Sequence, residues 1–166
     1  MEIERRHVVN LVSPNADVFN TNPDTAVMSL AGYEGVVFTF SHKGGTTGKG
    51  TITVKTCTDF SKTSPTAIPF KYRKKTTGSS ESWGALTDAT SAGVQTVATE
   101  DTMYEFEVLA SDLAGTDRDK IFVNLNEDVN DPVAGSLIAT FYGAKYENPG
   151  AGLAQVTLSA AGPVAP

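Results

Sequence analysis

The chain reads as an all-β protein, an antiparallel β-sandwich of jelly-roll or immunoglobulin-like type with about eight to nine strands. Two features carry this reading. Short runs of alternating apolar and polar residues recur along the chain, separated by turn residues, and a period of two places alternate side chains on one face of a sheet. Thr, Ser, Gly and Ala are also abundant while only 19 % of residues are charged, a composition that favours strands and tight turns over long helices.

The organising stretch runs from Tyr33 to Arg73. It holds two strand-like runs, Gly35 to Ser41 and Thr51 to Cys57, joined by the glycine-rich segment His42 to Gly50, and a third run, Ala67 to Arg73. Val36, Phe38 and Phe40, then Ile52 and Val54, then Ile68, Phe70 and Tyr72 alternate with Thr39, Thr53, Lys71 and Arg73. The first two runs are expected to pair as a hairpin and the three to share one half-buried antiparallel sheet.

Three regions follow from composition: an N-terminal arm over residues 1–20, a β-sandwich domain over 21–147 and a Gly/Ala/Pro-rich tail over 148–166. In the arm, charged residues precede a short run, Val8 to Val12, and Ser13-Pro14-Asn15 reads as a turn. Val8, Val9, Leu11, Val12, Val18 and Phe19 are many apolar side chains for a free terminus. They either pack on their own domain or contact a capsid or a neighbouring subunit. Ala26 to Leu30 reads as a short strand, and 76–82 as a loop leading to Trp83, the sole tryptophan. Val94 to Ala98 and Thr102 to Leu109 follow as strands, the second with Tyr104, Phe106 and Val108 inward and Glu105 and Glu107 outward. Ala110 to Ala114 reads as one helical turn. Lys120 to Asn126 and Gly135 to Tyr146 complete the strands around an acidic turn at 127–132, and within the tail Ala154 to Leu158 has strand character.

At 166 residues the chain is one domain long, and 40 % hydrophobic residues suffice for a core. A net charge of −6 would repel phosphate backbones, so no nucleic-acid partner is expected. The cluster Lys71, Arg73, Lys74 and Lys75 reads as a solvated edge that discourages strand-to-strand aggregation, with an electrostatic contact to an acidic partner as the alternative. A single cysteine, Cys57, forbids an intrachain disulfide and reads as a small strand residue. No stretch approaches the roughly 20 apolar residues of a membrane span, and the N-terminus is not a signal peptide.

Little in the sequence points to catalysis. The loop Gly44 to Thr51 fails the phosphate-loop pattern because Gly44 stands one residue too close to the Gly48-Lys49 pair and Gly50 replaces the hydroxyl. Glu127, Asp128 and Asp131 cluster without the spacing of a calcium loop, and neither His7 nor His42 has a partner at zinc-site spacing. No catalytic, cofactor or metal residue is assigned. Trp83 and Tyr33 stand beside loops, where an aromatic platform could hold a sugar.

The order YEGVVFTFSHKGGTTGKGTITVKTCTDF, TAIPFKYRKKTTG, SWGALTDATSAG, MYEFEVLASDL and VNLNEDVNDPVAGSLIATFYGAKY, covering about Tyr33 to Tyr146, resembles a family of head decoration (cement) proteins of tailed bacteriophages. Its most specific pieces are Thr66 to Arg73, Trp83-Gly84 and Met103 to Leu113. The resemblance implies a virion structural protein, without enzymatic activity or cofactor, that is assembled in the host cytoplasm. It would bind the major capsid protein on the outer surface of the head, between capsomers, as a homo-oligomer with a trimer favoured. A carbohydrate- or host-surface-binding module on the virion is the alternative. Removal of residues 1–20 is expected to leave a folded domain unable to bind shells.

Overall fold

A computed structural model describes residues 6–76, 82–114 and 116–145. Among these the chain forms eleven strands: β1 (His7–Asn15), β2 (Met28–Ser29), β3 (Gly35–His42), β4 (Lys49–Cys57), β5 (Thr66–Ala67), β6 (Phe70–Thr76), β7 (Thr87–Ala89), β8 (Val94–Gln95), β9 (Thr102–Leu109), β10 (Lys120–Val129) and β11 (Gly135–Tyr142). A 3-10 turn, Ala110–Leu113, follows β9. Two antiparallel sheets result. The larger has the order β1-β11-β3-β9-β6-β7, and the smaller runs β2-β10-β4-β5 with β8 also pairing β4.

The alternation read from sequence is the alternation of burial. Val36, Phe38 and Phe40 of β3 are fully covered, as are Tyr104, Phe106 and Val108 of β9 and Leu137, Ala139 and Phe141 of β11. They meet Ile52 and Val54 of β4 and Ile121, Val123 and Leu125 of β10 in one cluster between the sheets. Phe38 stacks on Phe106 with ring centroids 5.0 Å apart, and such aromatic contacts add to the burial that drives the sheets together.

The expected hairpin is not one. β3 pairs β9 and β11 in the larger sheet, whereas β4 pairs β10 in the smaller, so the glycine-rich loop crosses from one layer to the other. A two-residue turn would have forced pairing; this longer loop spans the roughly 10 Å between packed sheets. Its donors are spent across the end of the sandwich. Lys43 N–H donates to the Ala134 carbonyl at 2.8 Å and Gly45 N–H to that of Ala98 at 2.7 Å, while Gly44 N–H donates to Asp101 Oδ1 at 2.8 Å. The third run also divides: β5 pairs β4, and after Ile68-Pro69 β6 joins β9 in the other sheet.

The N-terminal segment is likewise not an arm. β1 continues through the expected Ser13-Pro14-Asn15 turn and pairs β11, with register shifts between Asn10 and Val12 and between Val12 and Asn15. The chain then turns inward. Val9 is 7 % exposed and Val18 and Phe19 are each 1 % exposed, while Leu11 and Val12 pack against the same core from its rim. Phe19 lies beside Phe40, centroids 5.8 Å apart. A Cβ at position 50 would sit 2.4 Å from the Phe19 ring, so Gly50 is the residue that admits it. The sandwich therefore begins at β1, not at residue 21. The tail expected over 148–166, with its strand-like Ala154 to Leu158, lies outside the described residues.

Candidate interaction face

The outer faces of the two sheets differ in cover. On the smaller sheet Phe122 and Cys57 point outward yet are 1 % and 0 % exposed, forming with Val27 a second small cluster. The loop after β4 lies over it. Asp59 Oδ1 accepts the N–H groups of Ser61 and Thr63, both at 2.9 Å, and Lys62 stands 4.9 Å from the centre of the Phe122 ring. Cys57 is thus a covered strand residue whose thiol donates to the Asp59 carbonyl at 3.2 Å. Burial, with Asp59 second, pushes that thiol above its ordinary value.

Among the described residues the outer face of the larger sheet is open. Reading across it in register, one row is Val8, Thr140, Val37, Glu107 and Lys71, and the next is Asn10, Ile138, Thr39, Glu105 and Arg73. The half built from β9 and β6 is charged and internally paired. Arg73 donates through Nε and Nη2 to Glu105 Oε2, at 2.8 and 2.5 Å, and Lys71 Nζ lies 2.6 Å from Asp88 Oδ1. Trp83 is half-buried above Arg73, 4.8 Å from the guanidinium carbon to the ring centre.

The half built from β1, β11 and β3 carries no charge in these rows. Val8 is 61 % exposed and Ile138 38 %, and Val37, Thr39 and Thr140 are half-exposed between them. The cause is visible in the residues: Val8-Val9, Val36-Val37 and Leu137-Ile138 each place two apolar residues in succession. Since neighbouring strand positions face opposite ways, one of each pair is buried and the other is presented outward. β1, β11 and β3 are adjacent, so Val8 and Val37 flank Thr140 and Ile138 lies one step along. A depression of about 330 Å³ beside this patch is lined by Val37, Leu86, Lys71, Arg73, Glu105 and Glu107.

Tyr142 joins the two halves. Its hydroxyl donates to Glu107 Oε1 at 2.5 Å, two strands away. The ring crosses Gly35, where a Cβ would lie 2.6 Å from the phenolic oxygen and 2.9 Å from the Val108 carbonyl oxygen. Burial first, and then the Glu107 carboxylate, hold the Tyr142 phenol well above its ordinary value of 10.0. A phenol held higher in the folded chain contributes stability that is complete below the unfolded value and lost as pH rises through the folded one. Tyr142→Phe is therefore expected to flatten part of the loss of stability above about pH 10, read from urea midpoints at pH 9 and 11; a parent and variant with equal alkaline slopes would refute the coupling.

Of the six apolar contact residues expected near the N-terminus, Val8 alone is prominently exposed. Val9, Val18 and Phe19 are core residues, and Leu11 and Val12 support the core. Val37 and Ile138 lie outside the expected set because alternation marks the inward residues; the three apolar doublets are the signal that marks the outward ones. The sugar platform does not form. Tyr33 is 7 % exposed and packs on Phe141, centroids 5.0 Å apart, away from Trp83.

The acidic and glycine-rich motifs satisfy each other. Asp131 Oδ2 accepts Thr47 N–H at 3.2 Å, Thr47 Oγ1–H at 2.9 Å and Gly48 N–H at 3.0 Å, so these loop donors hold the chain's own carboxylate. Asp128 accepts instead from Thr51 Oγ1 at 2.7 Å and Gln95 Nε2 at 3.0 Å. Among the described residues no group of three or more His, Cys, Asp or Glu side chains is placed to hold a metal ion, and no helix is long and apolar enough to cross a membrane.

Fold and site together define a two-layer antiparallel β-sandwich with a neutral, partly apolar face on its larger sheet. No protein-family model and no curated protein sequence matches the chain. Among solved structures it is similar to the crystal structure of the SPBc2 prophage-derived protein YomS, with a TM-score of 0.41 and 12 % identity over 82 % of this chain and 91 % of that one.

Proposed function

We propose that this chain is a structural protein of a tailed-phage virion, a decoration or cement protein that binds the major capsid protein on the outer surface of the head, between capsomers, and stabilises the shell. In this reading it is a binding protein and not an enzyme, and it acts as a homo-oligomer, with a trimer natural at a local three-fold axis. The resemblance over Tyr33 to Tyr146 suggests the class. The observation that carries the mode of action is the meeting of Val8, Val37 and Ile138 on the uncharged half of an open sheet face. Neutral, partly apolar surface loses little on desolvation when it meets a protein, and weak contacts repeated over a symmetric shell add up through effective concentration.

Two results test this. Heads carrying the protein are expected to resist heat better than heads without it, and the parent chain is expected to co-sediment with undecorated heads. Val8→Asp with Ile138→Asp changes only exposed positions and is expected to leave the melting temperature within a few degrees while abolishing co-sedimentation. A parent protein that never sediments with heads removes the function; a doubly substituted protein that still does removes the face.

A further inference from the structure

The charged half of the larger sheet's outer face keeps unspent hydrogen-bonding capacity around its depression. Val37 and Leu86 give the depression apolar walls, and Lys71, Arg73, Glu105 and Glu107 give it polar ones. The strand register sets Lys71 beside Glu107 and Arg73 beside Glu105. Their bonds use only part of each group. Arg73 spends Nε and Nη2 on Glu105 Oε2, Lys71 Nζ donates to Asp88 Oδ1, and Glu107 Oε1 accepts the Tyr142 hydroxyl. Arg73 Nη1, Glu105 Oε1 and Glu107 Oε2 make no hydrogen bond among the described residues, and an ammonium with one bond keeps further donors. Gly84 N–H donates to the Lys74 carbonyl at 2.9 Å. That bond ties the loop to β6 with Trp83 against the Arg73 guanidinium and Leu86 at the rim, 61 % exposed.

This set selects by charge. An anion would stand beside Glu105 and Glu107, and a cation beside Lys71 and Arg73, so an ion of either sign meets a like charge in the same site. A neutral hydroxyl meets no such opposition. Because it both donates and accepts, neighbouring hydroxyls donate to the carboxylates and accept from Arg73 and Lys71, and hydrogen bonds to ionised groups are the stronger kind. A volume of about 330 Å³ is at the lower end of small-molecule sites. We propose that the depression is a saccharide-binding site: a small neutral sugar whose hydroxyls bridge Lys71 and Arg73 to Glu105 and Glu107 and whose C–H face lies on Val37 and Leu86. Val8 and Ile138, the positions that test shell binding, do not line it. The readout below needs no shell, so either idea can fail without the other.

The test titrates the full-length, isotope-labelled protein with glucose, galactose, N-acetylglucosamine and lactose, and with glucuronate and lysine as charged comparators. At least one neutral sugar is expected to shift the amide signals of Val37, Gly84 and Leu86 and the indole signal of Trp83, saturating in the millimolar range. The amides of Val54 and Ile121, inside the core, are expected to stay in place, and the comparators to shift none of these signals. Leu86→Ala trims an exposed side chain and is expected to leave the melting temperature within a few degrees while weakening binding about fivefold. Lys71→Met breaks an exposed ion pair of small worth to the fold and is expected to weaken binding about tenfold. The proposal is overturned by unmoved signals with every sugar at about 50 mM, well above a millimolar Kd. A comparator that binds more tightly than all four sugars, or variants that bind as the parent does, would overturn it equally.

Discussion

Phe19→Ala is expected to lower the unfolding free energy by about 3–5 kcal/mol, the cost of removing a fully buried aromatic ring and leaving its cavity. The ring is 1 % exposed, packs on Phe40 at 5.8 Å and rests over Gly50. Its neighbour Val18 is held by a hydrogen bond from its N–H to the Val133 carbonyl at 2.9 Å, so the backbone around position 19 has little freedom to close the void. Urea denaturation with an unchanged slope measures the loss. A cost below about 1 kcal/mol would place this segment in the class of surface substitutions and restore the idea of a separable arm. The same argument reverses the expectation for deletion of residues 1–20. That deletion removes β1, strips the edge of β11 and takes Val9, Val18 and Phe19 from the core. Against a total stability of about 5–15 kcal/mol, it is expected to abolish cooperative unfolding, so a loss of shell binding by such a protein would say nothing about contact residues.

His42→Phe is expected to raise stability by about 1–3 kcal/mol, the range attached to a buried polar group without a partner. His42 ends β3 on its inward side at 3 % exposure, and among the described residues neither Nδ1 nor Nε2 has a hydrogen-bond partner. Its ring lies nearly parallel to that of Tyr104 at 6.1 Å and tilted to that of Phe40 at 6.2 Å. Phenylalanine keeps the ring and replaces both nitrogens by carbon, with one added carbon to accommodate in a close-packed site. Chemical denaturation at neutral pH reads the sign. A loss of stability would show that the imidazole is bonded in solution, and His42 would then belong with the buried polar groups that hold this end of the sandwich, beside the Tyr104 hydroxyl, which accepts Val97 N–H at 3.1 Å.

Much of the secondary structure was legible. β9 coincides with the expected run residue for residue, β3 and β4 agree to within two residues at their ends, and the helical turn after β9 lies in place. β7 has no signal in the sequence because Thr87-Asp88-Ala89 lacks apolar alternation; its place comes from pairing with Phe70 to Tyr72. The acidic turn expected after Asn126 begins instead as strand, since Glu127 and Val129 still pair β4.

What the residues determined by themselves is the set of inward faces. Alternation is a local property, and burying Phe38, Phe106, Val54 or Leu125 in one strand requires no knowledge of its neighbours. Which strand lies beside which was decided only in three dimensions. The loop after His42 is long enough to permit either a hairpin or a crossing, and the chain crosses because its donors find Asp101, Ala98, Ala134 and Asp131 at the far end of the sandwich. The face around Val8, Val37 and Ile138 has the same origin. Each doublet was present in the sequence, but three outward side chains become one surface only when strands some 130 positions apart, β1 and β11, pair and β3 closes on the other side.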